Sequence, residues 1–150
     1  MSGRAADIPA GFVPLTVPGE FIRANGPLYL RHEGELVLLG FRVEPRHTNP
    51  MGICHGGMLA SFADMLLPIS VHHKRADVGF RFLPTISLQL DYLAPAPLGS
   101  WVQGEAQVLR VTRTLVFAQG LVTADGEPSL RVSGISKIGM PFPELGEVVG

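Results

Sequence analysis

Apolar and polar residues alternate most regularly between residues 86 and 92, where Ile86, Leu88, Leu90 and Tyr92 are separated by Ser87, Gln89 and Asp91. A period of two puts successive side chains on opposite faces, so this segment predicts a β-strand with one face buried. Pro95-Ala96-Pro97 ends it. Between Gly56 and Val71 the period changes. Leu59, Phe62, Ala63, Leu66 and Ser70 recur at helical spacing, while Met58, Ala60, Met65, Leu67, Ile69 and Val71 occupy the other faces. A helix that is apolar all round belongs inside a protein, wrapped by other elements.

The flanking segments supply the wrapping. Residues 28–31 and 36–43 read as two strands joined at Glu33-Gly34-Glu35, after a helical turn over 21–25 that Asn25-Gly26-Pro27 stops. Segments 100–111, 114–124 and 129–138 are rich in Val, Leu and Thr, and Asp125-Gly126 is a strong hairpin signal. The four later strands are expected to form a meander. The prolines at 9, 14 and 18 make residues 1–20 an irregular arm ahead of one domain over 21–150. The fold class that follows is α+β, an antiparallel sheet wrapped around one long central helix.

Composition narrows the function. A chain of 150 residues with 46% hydrophobic and 17% charged residues has enough apolar side chains for one real core. A net charge of −1 and only two lysines give no basic field of the kind that holds nucleic acid. The longest stretch without Asp, Glu, Lys or Arg, residues 47–63, contains Asn49, Pro50, Gly52 and three further glycine or histidine positions, so it is not read as a membrane span. Cys54 is the only cysteine and forms no internal disulfide, which points to a cytoplasmic location. So low a charge content suggests that part of the apolar surface is covered by a second copy, making a homo-oligomer the expectation.

Candidate chemistry gathers on the apolar helix. Asp64 is the only Asp, Glu, Lys or Arg between Arg46 and Lys74. Burying it unpaired would be costly, so it is either functional or paired with a distant arginine such as Arg42 or Arg81. His55-Gly56-Gly57 stands where the helix begins, and the first amides of a helix have no internal partner and carry positive partial charge. They can cradle an oxyanion, and two glycines let a substrate approach the backbone. Asn49-Pro50-Met51-Gly52 adds a carboxamide donor on a rigid turn. Pro68 lacks the N–H that would bond the Asp64 carbonyl, so the helix is expected either to kink or to end and restart there. Cys54 beside His55 is a poor nucleophile–base pair, because neighbouring side chains at a turn diverge. His72-His73 lack a third ligand at metal spacing and are read as capping the helix C-terminus.

The run Asn49-Pro50-Met51-Gly52-Ile53-Cys54-His55-Gly56-Gly57, followed by Ala63-Asp64, resembles the hotdog-fold acyl-CoA thioesterases of the phenylacetate-pathway and thioesterase-superfamily-member-2 type. Their pattern is N-x-x-G-x-x-H-G-G and then an acid seven residues after the second glycine. Tyr92-Leu93-Ala94-Pro95-Ala96 and the strand pair around Arg113 extend the resemblance over about residues 20–140. It implies that Asn49 and the Gly56 amide polarise a thioester carbonyl, that His55 and Gly57 help shape that region, and that Asp64 acts as general base or nucleophile. Thr85 falls where relatives carry a hydroxyl that positions the water. Tyr92, Arg110, Thr112, Arg113, Thr114 and Lys137 match regions that contact the substrate or its coenzyme A nucleotide. The resemblance implies no metal and no cofactor beyond the thioester itself. Pro68 and His72-His73 replace the small residues usual after the acid.

Gly56 and Asp64 are eight residues apart, about 12 Å along a helix. That is too far for both to reach one carbonyl, so Gly56 and Asn49 of one subunit are expected to face Asp64 and Thr85 of another in a dimer, which a tetramer would extend. Two other readings remain at this level: a non-catalytic acyl-CoA-binding module, and a hydratase, for which a suitably spaced histidine is missing. Met58, Phe62, Met65, Phe80 and Phe82 either line an acyl tunnel or fill the core.

Overall fold

The computed structural model describes residues 7–142, so the outer ends of the expected arm and domain lie outside the described residues. In chain order the elements are β1 (Val13–Leu15), α1 (Glu20–Asn25), β2 (Leu28–Glu33), β3 (Leu36–Arg42), a 3-10 turn (Pro45–His47), α2 (Gly56–Lys74), β4 (Thr85–Tyr92), β5 (Trp101–Val111), β6 (Leu115–Ala124) and β7 (Glu127–Lys137). All seven strands join one sheet in the order β1-β2-β3-β5-β6-β7-β4, every pairing antiparallel. The sheet curls round α2, giving the α+β hotdog architecture.

Three expectations are corrected. The expected four-strand meander is a three-strand one, because β4 pairs with β7 and β3 takes the place beside β5. Alternation along β4 marks an apolar face, which the single chain leaves unburied (Ile86 and Tyr92 are exposed and Leu88 and Leu90 half-buried), and it carries no information about which neighbour the strand joins. The N-terminal arm contributes a short edge strand, Val13–Leu15, against Leu28–Leu30. Finally, α2 is not enclosed on every side: Met58, Leu59, Phe62, Ala63, Leu66, Leu67, Ile69 and Val71 are buried, but Gly57, Ala60, Ser61, Asp64, Met65, Pro68 and His72 form a partly exposed stripe. The helix continues through Pro68 to Lys74.

Close approach of helix and sheet depends on missing side chains. A Cβ at Gly104 would stand 2.6 Å from Leu66 Cδ2, and one at Gly134 2.6 Å from Leu67 Cδ1. Leu66 and Leu67 therefore press on bare backbone, where any larger residue would have to displace those side chains in a packed core. Asp125 and Gly126 both take positive φ (47° and 86°), the geometry whose twist matches a tight hairpin between β6 and β7. Phe62 and Met58 belong to the core, Met65 packs against its edge, and Phe80 and Phe82 are exposed.

Candidate active site

The loop before α2 is held by its own backbone. Thr48 and Cys54 form an antiparallel bridge, the Asn49 N–H donates to the Ile53 carbonyl (2.9 Å), and the His55 N–H donates to the His47 carbonyl (2.7 Å). The Asn49 Oδ1 accepts from the Met51 N–H at 2.9 Å. This is an Asx turn, and it leaves the Nδ2 group as a donor with no acceptor among the described residues.

His55 is the N-cap of α2, and its Nδ1 accepts from the Gly57 N–H at 2.8 Å. In the neutral ring the proton then sits on Nε2, which becomes a second outward donor. The Gly57 N–H is committed to this cap, so of the two glycines only Gly56 presents an N–H without an acceptor among the described residues. The position gains from the partial positive charge of the helix N-terminus. Tyr92, at the far end of β4, donates its hydroxyl to the Gly56 carbonyl at 2.6 Å. Burial pushes its pKa up, with a smaller contribution from Cys54. Cys54 itself is buried, and its pKa is pushed up to about 12, so at neutral pH it is a thiol and not a nucleophile.

Asp64 lies two turns further along α2. It is half-buried, and its Oδ1 accepts from the Thr85 hydroxyl at 2.6 Å. The distant-arginine alternatives are not realised. Arg42 donates to the Gly99 carbonyl (3.1 Å) and to the Asp7 carbonyl, with its guanidinium carbon 5.3 Å from the Trp101 ring centre, while Arg81 donates to the Gly139 carbonyl at 2.8 Å. Asp64 is thus a carboxylate with one short hydrogen bond and an open side, not a buried ion without a partner.

The basic residues collect at the same end of the sheet as Asp64. Ser136, the register partner of Thr85, precedes Lys137, and Lys137 faces Leu115 across from the Thr112-Arg113-Thr114 turn. Arg110, Arg113, Thr114 and Lys137 are exposed, and no ion pair holds the three cations among the described residues. The Thr112 Oγ1 instead accepts from the Leu115 N–H at 2.9 Å and shapes the turn. Among the described residues no cluster of His, Cys, Asp and Glu has metal-ligand geometry. His73 donates to the Ile69 carbonyl (2.9 Å) in the last helical turn as expected of a cap, whereas His72 reaches out to the Arg81 carbonyl (2.8 Å).

One chain therefore carries two clusters. Asn49, His55, Gly56 and Tyr92 stand at the start of α2, and Asp64, Thr85 and the cations stand beyond its second turn. A cavity of about 820 Å³ contains neither; it lies between the Gly34–Glu35 turn, the C-terminus of α2 and strands β5 to β7.

The model of the thioesterase superfamily matches residues 51–130, from the turn before α2 to the start of β7. The chain belongs to this superfamily. A Pseudomonas aeruginosa protein provisionally named an esterase is 25% identical over 130 residues, covering 86% of this chain and 96% of its own. Mouse acyl-coenzyme A thioesterase 13 is 28% identical over 85 residues, 56% of this chain, and the match spans only 58% of the mouse protein. The crystal structure of zebra fish thioesterase superfamily member 2 aligns with a TM-score of 0.66 at 25% identity, covering 75% of this chain and 81% of that one. The chain has the hotdog fold, and its superfamily membership supports thioester hydrolysis in general. No helix in the described residues is long and apolar enough to cross a membrane.

Two features of this thioesterase were not legible in its sequence. His47 is 2% exposed, and both ring nitrogens are engaged: Nδ1 accepts from the Glu44 N–H (3.0 Å) and Nε2 donates to the Asn25 carbonyl (2.7 Å). It pins the loop that carries Asn49 and His55. The Glu44-x-x-His47 spacing of a capping box was the available signal. The bond from Tyr92 to Gly56 spans 36 residues and left no local trace.

Proposed function

We propose that this thioesterase hydrolyses acyl-CoA thioesters, in two identical sites that each combine the α2 N-terminus of one subunit with Asp64 of the other. The observation that carries this reading is the division of the machinery. The donors and the carboxylate sit on one helix about 12 Å apart, so a single chain offers two half-sites and no complete one. A two-fold axis crossing α2 brings each half-site onto its complement, with both sites made by the same operation. The half-exposed stripe Gly57, Ala60, Ser61, Asp64 and Pro68 supports this, as does the free outer edge of β4 with Ile86 exposed at 59%.

In the proposed reaction the thioester oxygen lies against the Gly56 N–H and the Asn49 Nδ2, with His55 Nε2 beside them. These donors stabilise the charge that develops on the oxygen. Asp64, oriented by Thr85, either takes a proton from water as the water oxygen attacks the carbonyl carbon, or attacks that carbon itself to form an anhydride that water then opens. The C–S bond breaks, and the coenzyme A thiolate collects a proton. A thiolate is a good leaving group, so no second strong acid is required. Arg110, Arg113 and Lys137, with Thr114, form the surface proposed to receive the phosphates of coenzyme A. No cofactor enters the scheme. The mouse relative's name supports acyl-coenzyme A as the substrate class.

The test is thiol release from phenylacetyl-, hydroxyphenylacetyl-, benzoyl- and C4 to C16 acyl-CoAs, with wild type beside Asp64→Asn and Asp64→Ala. Release by wild type with a loss of about 100-fold or more in both variants is the expected result. Variants as active as wild type would sink the mechanism, and tight acyl-CoA binding without release would make the protein a binding module.

A further inference from the structure

We propose that Tyr92 is a positioning residue, which with His55 clamps the Gly56–Gly57 peptide from both sides and so fixes the direction of the Gly56 N–H. This rests on the reading of that N–H as the donor to the thioester oxygen. The two hydrogen bonds fall on one peptide plane. Its carbonyl, on Gly56, accepts from the Tyr92 hydroxyl at 2.6 Å, and its N–H, on Gly57, donates to His55 Nδ1 at 2.8 Å. The Gly56 N–H itself lies on the plane before it, whose His55 carbonyl accepts from the Met58 N–H (2.9 Å) and the Leu59 N–H (3.1 Å), so the clamp acts on that N–H through the shared Gly56 Cα.

The need for a clamp follows from the glycines. A Gly-Gly step is the most pliable backbone available, and at the first turn of a helix its N–H groups donate to no helical carbonyl, so the Gly56 N–H is aimed only through the bonds made by the peptide planes on either side of its Cα. Electrostatic stabilisation of an oxyanion depends on donors already aimed before the charge develops. The same contacts explain the glycine at 57. A Cβ at Gly56 would lie 3.4 Å from the Tyr92 hydroxyl and 3.5 Å from its ring, and one at Gly57 would lie 3.0 Å from His55 Nδ1. A side chain at 57 would crowd the cap directly, whereas a Cβ at 56 would make ordinary contact with the tyrosine.

Tyr92 also ties the clamp to the other half-site. It ends β4, and Thr85, which starts the same strand, holds Asp64. One strand therefore grips α2 at two points.

Tyr92→Phe keeps the ring and removes only the hydroxyl. Its kcat on an acyl-CoA is expected to fall about 10- to 100-fold, with KM within about twofold and the melting temperature little changed, because misdirecting a donor weakens the transition state more than the bound substrate. A kcat within about twofold of wild type, or a loss carried by KM, overturns the clamp. A second variant with 3,5-difluorotyrosine at 92 preserves the shape and makes the phenol more acidic. It should add an alkaline decline in kcat that wild type lacks, since a phenolate cannot donate to a carbonyl; a profile identical to wild type overturns the clamp whatever the folding of Tyr92→Phe. The two readings fail differently: a wild type that releases no thiol refutes the hydrolytic site and the clamp together, whereas an active wild type with inactive Asp64→Asn and unaffected Tyr92→Phe refutes the clamp alone.

Discussion

The start of α2 and its middle solve the same problem in opposite ways. At the start, the donors are aimed mostly by neighbours in sequence: the Asx turn of Asn49, the His55 cap two residues from its amide, and the bridge between Thr48 and Cys54. In the middle, Asp64 owes its orientation to Thr85, 21 residues away on the edge strand of the sheet. A locally built site survives rearrangement elsewhere, whereas one held by a distant strand depends on where that strand docks. The two are also unequal in cover, since a buried histidine pins the loop from beneath while Asp64 is half-buried on a partly exposed helical stripe.

Breaking the locally built half should have the larger effect. Asn49→Asp keeps the Oδ1 that accepts from the Met51 N–H but replaces the donor with an anionic oxygen aimed at a developing negative charge. A loss of about 100-fold or more in kcat is expected, with the melting temperature nearly unchanged, measured by thiol release and thermal unfolding. A large fall in melting temperature instead would show that the carboxamide serves the turn and not the substrate.

The distant support should matter less. Thr85→Val removes the hydroxyl that donates to Asp64 at 2.6 Å and keeps the shape of the side chain. A fall in kcat of about tenfold is expected, with Thr85→Ser close to wild type, because orientation of a carboxylate contributes less than the carboxylate itself. Equal losses in both variants would mean that packing at the start of β4, not the hydroxyl, is what counts.

The smallest expected effect is on stability, and it probes the pin under the loop. Burial holds the pKa of His47 below its ordinary value of 6.5, with the hydrogen bond to Asn25 opposing the shift. The unfolded chain therefore binds this proton more readily than the folded one. Stability is full above about pH 6.5 and is lost as the pH falls toward the lowered folded value. Burial depresses His72 as well, so it adds to the same trend. Thermal unfolding should show the melting temperature dropping by a few degrees between about pH 7.5 and 5.5, and less steeply in His47→Gln. An unchanged slope in that variant would move the acid sensitivity to other groups.

The difference between the two regions also explains what could be read from the sequence. The strands, the long helix and the loop before it announce themselves through short-range patterns: alternation at 86–92, an apolar run at 56–71, and the N-x-x-G-x-x-H-G-G spacing. The docking of β4 beside β7, the Thr85 hydroxyl on Asp64 and the Tyr92 hydroxyl on Gly56 are contacts between distant segments. Thr85 was reached only through the resemblance. Asp64 was placed correctly on the helix but misjudged in burial, because a pattern apolar on every side does not show which side the sheet leaves open.

The central claim is that each site needs two chains, and subunit mixing tests it most directly. Asn49→Asp and Asp64→Asn chains, each inactive alone, are unfolded, mixed in equal amounts and refolded together. If the site is shared, a mixed dimer holds one intact pair, Asn49 from one chain and Asp64 from the other, and one doubly defective pair. Random pairing makes half the dimers mixed, so the mixture should recover about one quarter of wild-type activity. Activity no higher than that of the separate variants, with mixed dimers demonstrably present, would mean that a single chain carries the whole site.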